Sequence, residues 1–235
     1  MTLTSLYERL DELHNPAFAA GAARYFRATP GGYGEGDRFA GIRVPALRQL
    51  QSRLSALTLT DLDALLCSPW HEYRLLALLT LAGRCKVIDA GEHQAIVDLY
   101  LNRTAYVNNW DLVDSSAPDI LGRWLLTRDR DVLRALIGSS TLWERRIALL
   151  STLTFIREGE FAPTLALVES VLDDSEDLIH KAAGWMLREV GLRSRGTLMA
   201  FLSKHYLRLP RTTLRYAIEK EAPEARKQML RGVFA

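Results

Sequence analysis

The chain has 235 residues, of which 48% are apolar and 25% are charged, and its formal net charge is +2. This composition excludes an intrinsically disordered chain, and the length provides for a sizeable core. No stretch approaches ~18 consecutive apolar residues, and the first residues lack the pattern of a signal peptide, so we expect a cytoplasmic protein that does not enter the membrane.

Helical periodicity runs through almost the whole chain. Apolar residues recur at i, i+3, i+4 spacing within residues 62–66, 75–79, 132–137 and 165–172. Candidate helix N-caps are Thr60 with Asp63, Ser175 and Ser194. No alternating strand pattern bounded by hairpin signals is present. We therefore predict about a dozen helices and little or no sheet.

A glycine-rich segment, residues 28–43, interrupts the helices. It contains five of the chain's 15 glycines. It lacks the Gly-Lys-Ser/Thr ending of a P-loop and follows a helix instead of a strand, so we expect no nucleotide-phosphate site there. Two interpretations remain: a mobile loop beside a binding groove, or a plain connector.

Segments that resemble one another begin at His71, Trp143 and Leu178. Each carries a cation at its fourth position, and the cations Arg74, Arg146 and Lys181 are 72 and 35 residues apart. A missing unit falls near Trp110, and a last one begins near Arg211. This spacing is typical of helix-pair repeats of about 35–40 residues, stacked so that the second helices line one concave surface. An irregular helical bundle is the alternative.

The stretch 108–118 carries the clearest sign of a site. Asn108 or Asn109 can cap a helix in which Trp110 and Asp114, at i and i+4, share one face. Pro118 cannot donate a hydrogen bond to the carbonyl of Asp114, so we expect the helix to bend or end near this carboxylate. A tryptophan, a carboxylate and a backbone distortion together favour a functional site over a core position.

The cations are unevenly distributed and mostly arginine. Residues 1–118 hold 11 Lys and Arg against 13 Asp and Glu, whereas residues 119–235 hold 19 against 15. No acidic residue lies between Glu189 and Glu219, a span that contains Arg193 and Arg211. An arginine-dominated face suits bidentate phosphate contacts, although a solvated helical surface would look the same.

Other enzyme classes lack their motifs. The five histidines include no His-x-x-x-His pair, and there is no Gly-x-Ser-x-Gly elbow, so we expect neither a metal hydrolase nor a serine esterase. Two cysteines, Cys67 and Cys85, are too few for a four-ligand zinc site and are expected to be buried thiols. We predict no metal and no cofactor.

Several strings resemble the DNA alkylation repair family, that is, AlkD-type DNA glycosylases with HEAT-like repeats. They are Tyr-Gly-Glu-Gly-Asp-Arg-Phe (33–39), Asn-Trp-Asp-Leu-Val-Asp (109–114), Arg-Arg-Ile-Ala-Leu (145–149) and Lys-Ala-Ala-Gly-Trp-Met-Leu-Arg-Glu (181–189). The resemblance implies an all-α superhelix with a concave DNA-binding face. We predict one domain over 1–235, with N-terminal helices and the glycine-rich segment in 1–58 and repeats in 59–235.

The resemblance also implies an activity: excision of N3- and N7-alkylated purines from double-stranded DNA, with the lesion largely stacked. It assigns the catalytic carboxylate to Asp114, the flanking tryptophans to Trp110 and Trp185, and a lesion-side contact to Arg146. The further cations predicted to bind DNA are Arg145, Lys181, Arg188, Arg193 and Arg211. We expect a monomer that acts at the nucleoid. The alternative is a non-catalytic solenoid that binds DNA or another protein.

Overall fold

A computed structural model describes residues 1–234, and nearly all the regular secondary structure in this range is helical. It contains fourteen α-helices, two short 3₁₀ turns and one π-helical turn. An isolated bridge between Arg38 and Trp70 is the only β contact within residues 1–234. The predicted all-α fold class is confirmed. None of the helices described is long and apolar enough to cross a membrane.

The chain divides into two compact units, Met1–Ile120 and Leu121–Ala235. Each unit has its own core. In the first unit the core includes the fully buried side chains of Leu47, Leu76 and Tyr100, and in the second it includes Ile147 and Phe155. The organisation of the chain as a single domain therefore stays a prediction.

The first unit is built around one central helix, α5. Its helices are α1 Leu3–Glu12, α2 Pro16–Tyr25, α3 Val44–Gln51, α4 Leu59–Leu66, α5 His71–Arg84, α6 Ala90–Asn102 and α7 Trp110–Asp114. Helix α5 packs against α3, α4 and α7, and twelve of its 14 residues are buried. A helix that is covered on nearly every side provides a rigid base from which side chains can be positioned.

The second unit is a stack of helix pairs. Its helices are α8 Asp131–Ile137, α9 Leu142–Arg157, α10 Ala162–Ser170, α11 Asp177–Arg193, α12 Arg195–His205, α13 Arg211–Ala217 and α14 Pro223–Met229. Helix α11 packs against both α9 and α13, and α10 packs against α8, α9 and α11. First and second helices of successive pairs thus form adjacent rows, as in HEAT-like repeats.

The register predicted for the repeats is confirmed. The sequence predicts that the second helices begin near His71, Trp110, Trp143, Leu178 and Arg211. Helices α5, α7, α9, α11 and α13 begin within one residue of these positions.

Two predicted caps are wrong. With Thr60 as its N-cap, α4 would begin at Asp61. It begins at Leu59 instead, because Thr58 and Asp61 form the capping box. The pairs Thr58/Asp61 and Thr60/Asp63 have the same spacing, but Asp63 accepts hydrogen bonds from Arg103 at 2.7 and 2.9 Å instead. Likewise Ser175 does not cap α11, which follows Glu176, whereas Ser194 does precede α12 as predicted.

Candidate active site

Helix α7 is a single short turn that ends at the carboxylate of interest. The Asn109 side chain accepts a hydrogen bond from the amide of Trp110 at 2.9 Å and so begins the helix. The helix stops at Asp114, and a π-helical turn follows over Pro118–Gly122. The prediction that the backbone ends or bends at Asp114 is confirmed, because Pro118 offers the Asp114 carbonyl no amide hydrogen.

Trp110 is part of an aromatic cluster with α2. Its ring lies 5.7 Å from that of Tyr25, edge to face, and 5.3 Å from that of Phe26. Tyr25 is 66% exposed and Trp110 is half-buried. A cluster that leaves aromatic faces open to solvent can stack on a planar or cationic partner.

Sequence reasoning missed Tyr25 and Phe26. A signal for them does exist, because the two aromatic residues stand side by side where α2 ends and the glycine-rich segment is about to begin.

Asp114 is half-buried and lies near a buried phenol. Burial, followed by the charge of Asp114, raises the pKa of Tyr100 above its ordinary value. The Tyr100 hydroxyl is 3.0 Å from the Ser116 hydroxyl. The carboxylate thus lies close enough to this buried phenol to affect its pKa, while the residue keeps part of its surface open to solvent, as a group that acts on a bound water needs.

An apolar cavity of about 500 Å³ lies beside this cluster. Its walls come from α2, the segment around Phe39 and α5, with Phe18 and Tyr25 among the lining residues. Its polar lining includes His71 and Asp111. The cavity thus places an apolar surface next to Tyr25.

In the polar part of the cavity wall, His71 connects two carboxylates, an arrangement that we call the carboxylate–imidazole bridge. His71 donates from Nδ1 to Asp37 at 2.9 Å and from Nε2 to Asp111 at 2.8 Å. Its ring packs against those of both Phe26 and Phe39, with centroids 4.8 and 4.7 Å away. All three polar side chains are at most 16% exposed.

The bridge keeps its imidazole charged at neutral pH. Burial alone would lower the pKa of His71, but the hydrogen bonds to Asp111 and Asp37 outweigh it and raise the pKa to about 9. Burial of Asp37 would raise its pKa, but His71 and the guanidinium of Arg74 lower it. Both carboxylates of the bridge therefore face a cation. Sequence reasoning missed this contact, whose partners lie 34 and 40 residues apart.

The remaining predicted residues lie in the second unit. Trp185 is half-buried and donates from Nε1 to Glu189 at 3.1 Å. Arg146 is only 5% exposed and donates to the carbonyl of Leu178 at 2.6 Å. Arg145 forms a bidentate contact with Asp174 at 2.7 and 3.2 Å.

The other predicted DNA-binding cations are half-buried or exposed, and most contact an acid. Lys181 pairs with Asp177 at 2.8 Å, and Arg193 approaches Glu189 at 3.5 Å. Arg188 pairs with Glu219, and Arg211 donates to the carbonyl of Leu230 at 2.8 Å. The predicted roles of Trp185 and these cations remain predictions.

The span between Glu189 and Glu219 contains no acidic residue, but in the fold its arginines meet acidic residues from other parts of the chain. Within it, Arg195 reaches Glu221 at 3.3 Å and Arg208 reaches Asp173 at 2.5 Å. Arg215 is exposed and makes no ion pair within residues 1–234. Surface ion pairs of this kind are weak, so phosphate oxygens can compete for these guanidinium groups.

Known proteins that this chain resembles in sequence or in fold are described as DNA repair enzymes. A family model described as "DNA alkylation repair enzyme" matches residues 6–220. The structure is similar to that of a protein described as a predicted DNA alkylation repair enzyme from Enterococcus faecalis, with a TM-score of 0.71 and 20% sequence identity. That similarity covers 89% of this chain and 97% of the other. No curated protein matches the chain.

The structural likeness, at 20% identity, shows a shared fold, and the family model adds the evidence of sequence over nearly the whole chain. The chain belongs to the DNA alkylation repair enzyme family, and its role lies in the repair of alkylation damage to DNA.

Proposed function

We propose that the protein is a monofunctional DNA glycosylase that hydrolyses the N-glycosidic bond of N3- and N7-alkylated purines in double-stranded DNA. The observation that carries the proposal is α7, which ends at a half-buried carboxylate, Asp114, and presents Trp110 beside the exposed ring of Tyr25. Membership of a family of DNA alkylation repair enzymes supports an activity on DNA.

The chemistry of the lesion fits such a simple site. An N3- or N7-alkylated purine is cationic, so its glycosidic bond is already weak and the leaving base needs no general acid. The reaction needs an anion near the sugar as oxocarbenium character develops, together with a positioned water molecule. Asp114 meets both requirements: its carboxylate stabilises the positive charge, and it orients or deprotonates the water. No cofactor takes part in this scheme.

The aromatic side chains act on the same developing charge. The faces of Trp110 and Tyr25 carry negative quadrupole potential and attract a cationic sugar ring. We propose that Trp185 contributes in the same way, and that Arg145, Arg146, Lys181, Arg188, Arg193 and Arg211 support the grip on the DNA backbone. The partner is duplex DNA that contains alkylated purines, bound by one copy of the chain.

A base-release assay tests the proposal. Purified protein is incubated with duplex DNA that contains 7-methylguanine or 3-methyladenine, and released bases and abasic sites are quantified. Release by the wild type and its loss in Asp114→Asn are the expected results. Salt-sensitive DNA binding without any release would instead favour the non-catalytic solenoid.

A further inference from the structure

The glycine-rich segment and α7 are connected by a buried charged contact that the proposed reaction does not use. Asp37 belongs to that segment, Asp111 lies in the first turn of α7, and His71 is the first residue of the central helix α5. The imidazole donates to the two carboxylates at 2.9 and 2.8 Å. The carboxylate–imidazole bridge therefore joins three parts of the first unit at one buried point.

Helix α7 depends on such contacts. It has five residues, from Trp110 to Asp114, and an isolated helix of that length is not stable in water. Its orientation must come from what holds its first turn. Because Trp110 and Asp114 lie on the same short turn as Asp111, any rotation of that turn moves all three side chains together.

The glycine-rich segment makes two more contacts at the same place. A Cβ atom at Gly34 would lie 2.4 Å from the carbonyl oxygen of Phe26 and 3.1 Å from Nδ2 of Asn109, the N-cap of α7. Only glycine fits there. Arg74 also joins Asp37 of the segment to Asn108, which it contacts at 3.1 Å.

This inference rests on the proposed function. We propose that Asp37, acting through the imidazolium of His71, is a positioning residue that fixes the orientation of α7. It thereby sets the positions of Trp110 and Asp114 relative to the substrate. In this arrangement the glycine-rich segment holds α7 in its orientation. It is neither a mobile loop nor a plain connector.

The bridge makes a specific prediction about pH. The charged groups that contact His71 are Asp37 from the glycine-rich segment and Asp111 from α7. Its own helix carries Glu72 and Arg74 nearby, and Phe26, the residue after α2, contributes an aromatic ring. Glu72 is occupied by three backbone amides, and Arg74 by Asp37. A neutral imidazole can donate to one carboxylate only, so deprotonation opens one end of the bridge.

Four variants test the proposal under single-turnover conditions with duplex DNA that contains 3-methyladenine. Asp37→Asn weakens the bridge, His71→Gln removes its charge, and His71→Arg supplies a planar cation with a charge that persists at alkaline pH. Asp63→Asn is the control, since it breaks a carboxylate–arginine pair of the same unit at Arg103. Each variant is also assayed for thermal unfolding, for DNA affinity and for backbone amide exchange over residues 108–116.

We expect excision by Asp37→Asn and His71→Gln to fall at least tenfold while DNA affinity stays within about twofold, with faster exchange over residues 108–116. Wild-type excision should decline as the pH passes 9, and the decline should be absent in His71→Arg. The control should keep wild-type excision and exchange. A purely structural role would lower stability without producing this pH profile or its removal by arginine.

Wild-type excision and exchange in folded Asp37→Asn and His71→Gln would overturn the proposal, as would an unchanged alkaline decline in His71→Arg. If the wild type excises nothing, the proposed function fails, and the catalytic half of this inference fails with it. The exchange data still decide in that case whether the bridge holds α7, because they do not depend on activity.

Discussion

The carboxylate–imidazole bridge predicts how the stability of the protein depends on pH. The pKa of His71 rises from 6.5 in the unfolded chain to about 9 in the folded protein. A group with a raised folded-state pKa contributes stability that is fully present below its unfolded pKa and is lost as the pH rises through the folded value. The window for His71 is therefore pH 6.5 to 9, and the protein loses stability toward the alkaline side.

The size of the effect follows from the shift. At ~1.4 kcal/mol for each pKa unit, moving from 6.5 to about 9 corresponds to roughly 3 kcal/mol of unfolding free energy. The imidazole is only 2% exposed, so solvent does little to screen these contacts.

Urea unfolding at several pH values between 6 and 10, for the wild type and for His71→Gln, measures this contribution. The glutamine variant keeps a side chain that can donate a hydrogen bond but does not titrate in the window. We expect the wild type to exceed the variant at pH 6 and to lose about 3 kcal/mol of that advantage by pH 10. A difference between the two proteins that is constant with pH would refute the assignment of a charged imidazole.

Three further predictions concern DNA binding and the remaining site residues. Log affinity for duplex DNA should fall with log salt at a slope of about −0.9 for each phosphate contacted, and Arg193→Glu should weaken binding to damaged and intact DNA alike; a slope near zero would contradict DNA binding. Because Trp110 and Trp185 are half-buried, replacing either by alanine should lower the unfolding free energy by less than the ~3–5 kcal/mol of a core tryptophan, yet reduce excision strongly. A melting curve beside an excision assay separates the two roles. A large loss of stability with normal excision would place the tryptophan in the core. Arg146→Ala should lower the unfolding free energy by ~1–3 kcal/mol, because the hydrogen bond from the buried Arg146 to the carbonyl of Leu178 is lost, and should also lower excision. Unchanged binding and excision would remove Arg146 from the DNA contact.

The fold was predictable because its signals are local. Helical periodicity and the spacing of Arg74, Arg146 and Lys181 place the second helices to within one residue. The end of α7 was predictable for a similar reason, since Pro118 acts on a carbonyl only four residues before it.

Contacts between distant parts of the chain were beyond this reasoning. Nothing around His71 in the sequence indicates that Asp37 and Asp111 approach it, because neither carboxylate is near it along the chain. The charge pattern misled for the same reason: Arg208 lies in an acid-free span, yet it meets Asp173 from another helix pair. Where charges meet is decided by packing, which a one-dimensional count of residues does not contain.

The most direct test of the account is the excision rate of Asp114→Asn under single-turnover conditions. Asparagine keeps the size and hydrogen-bonding capacity of the side chain but removes the charge that would stabilise an oxocarbenium-like transition state. We expect excision of 7-methylguanine to fall by ~10²-fold or more, the size typical of losing a preorganised electrostatic group, with DNA affinity unchanged or slightly stronger. An excision rate equal to that of the wild type would contradict the catalytic role of Asp114.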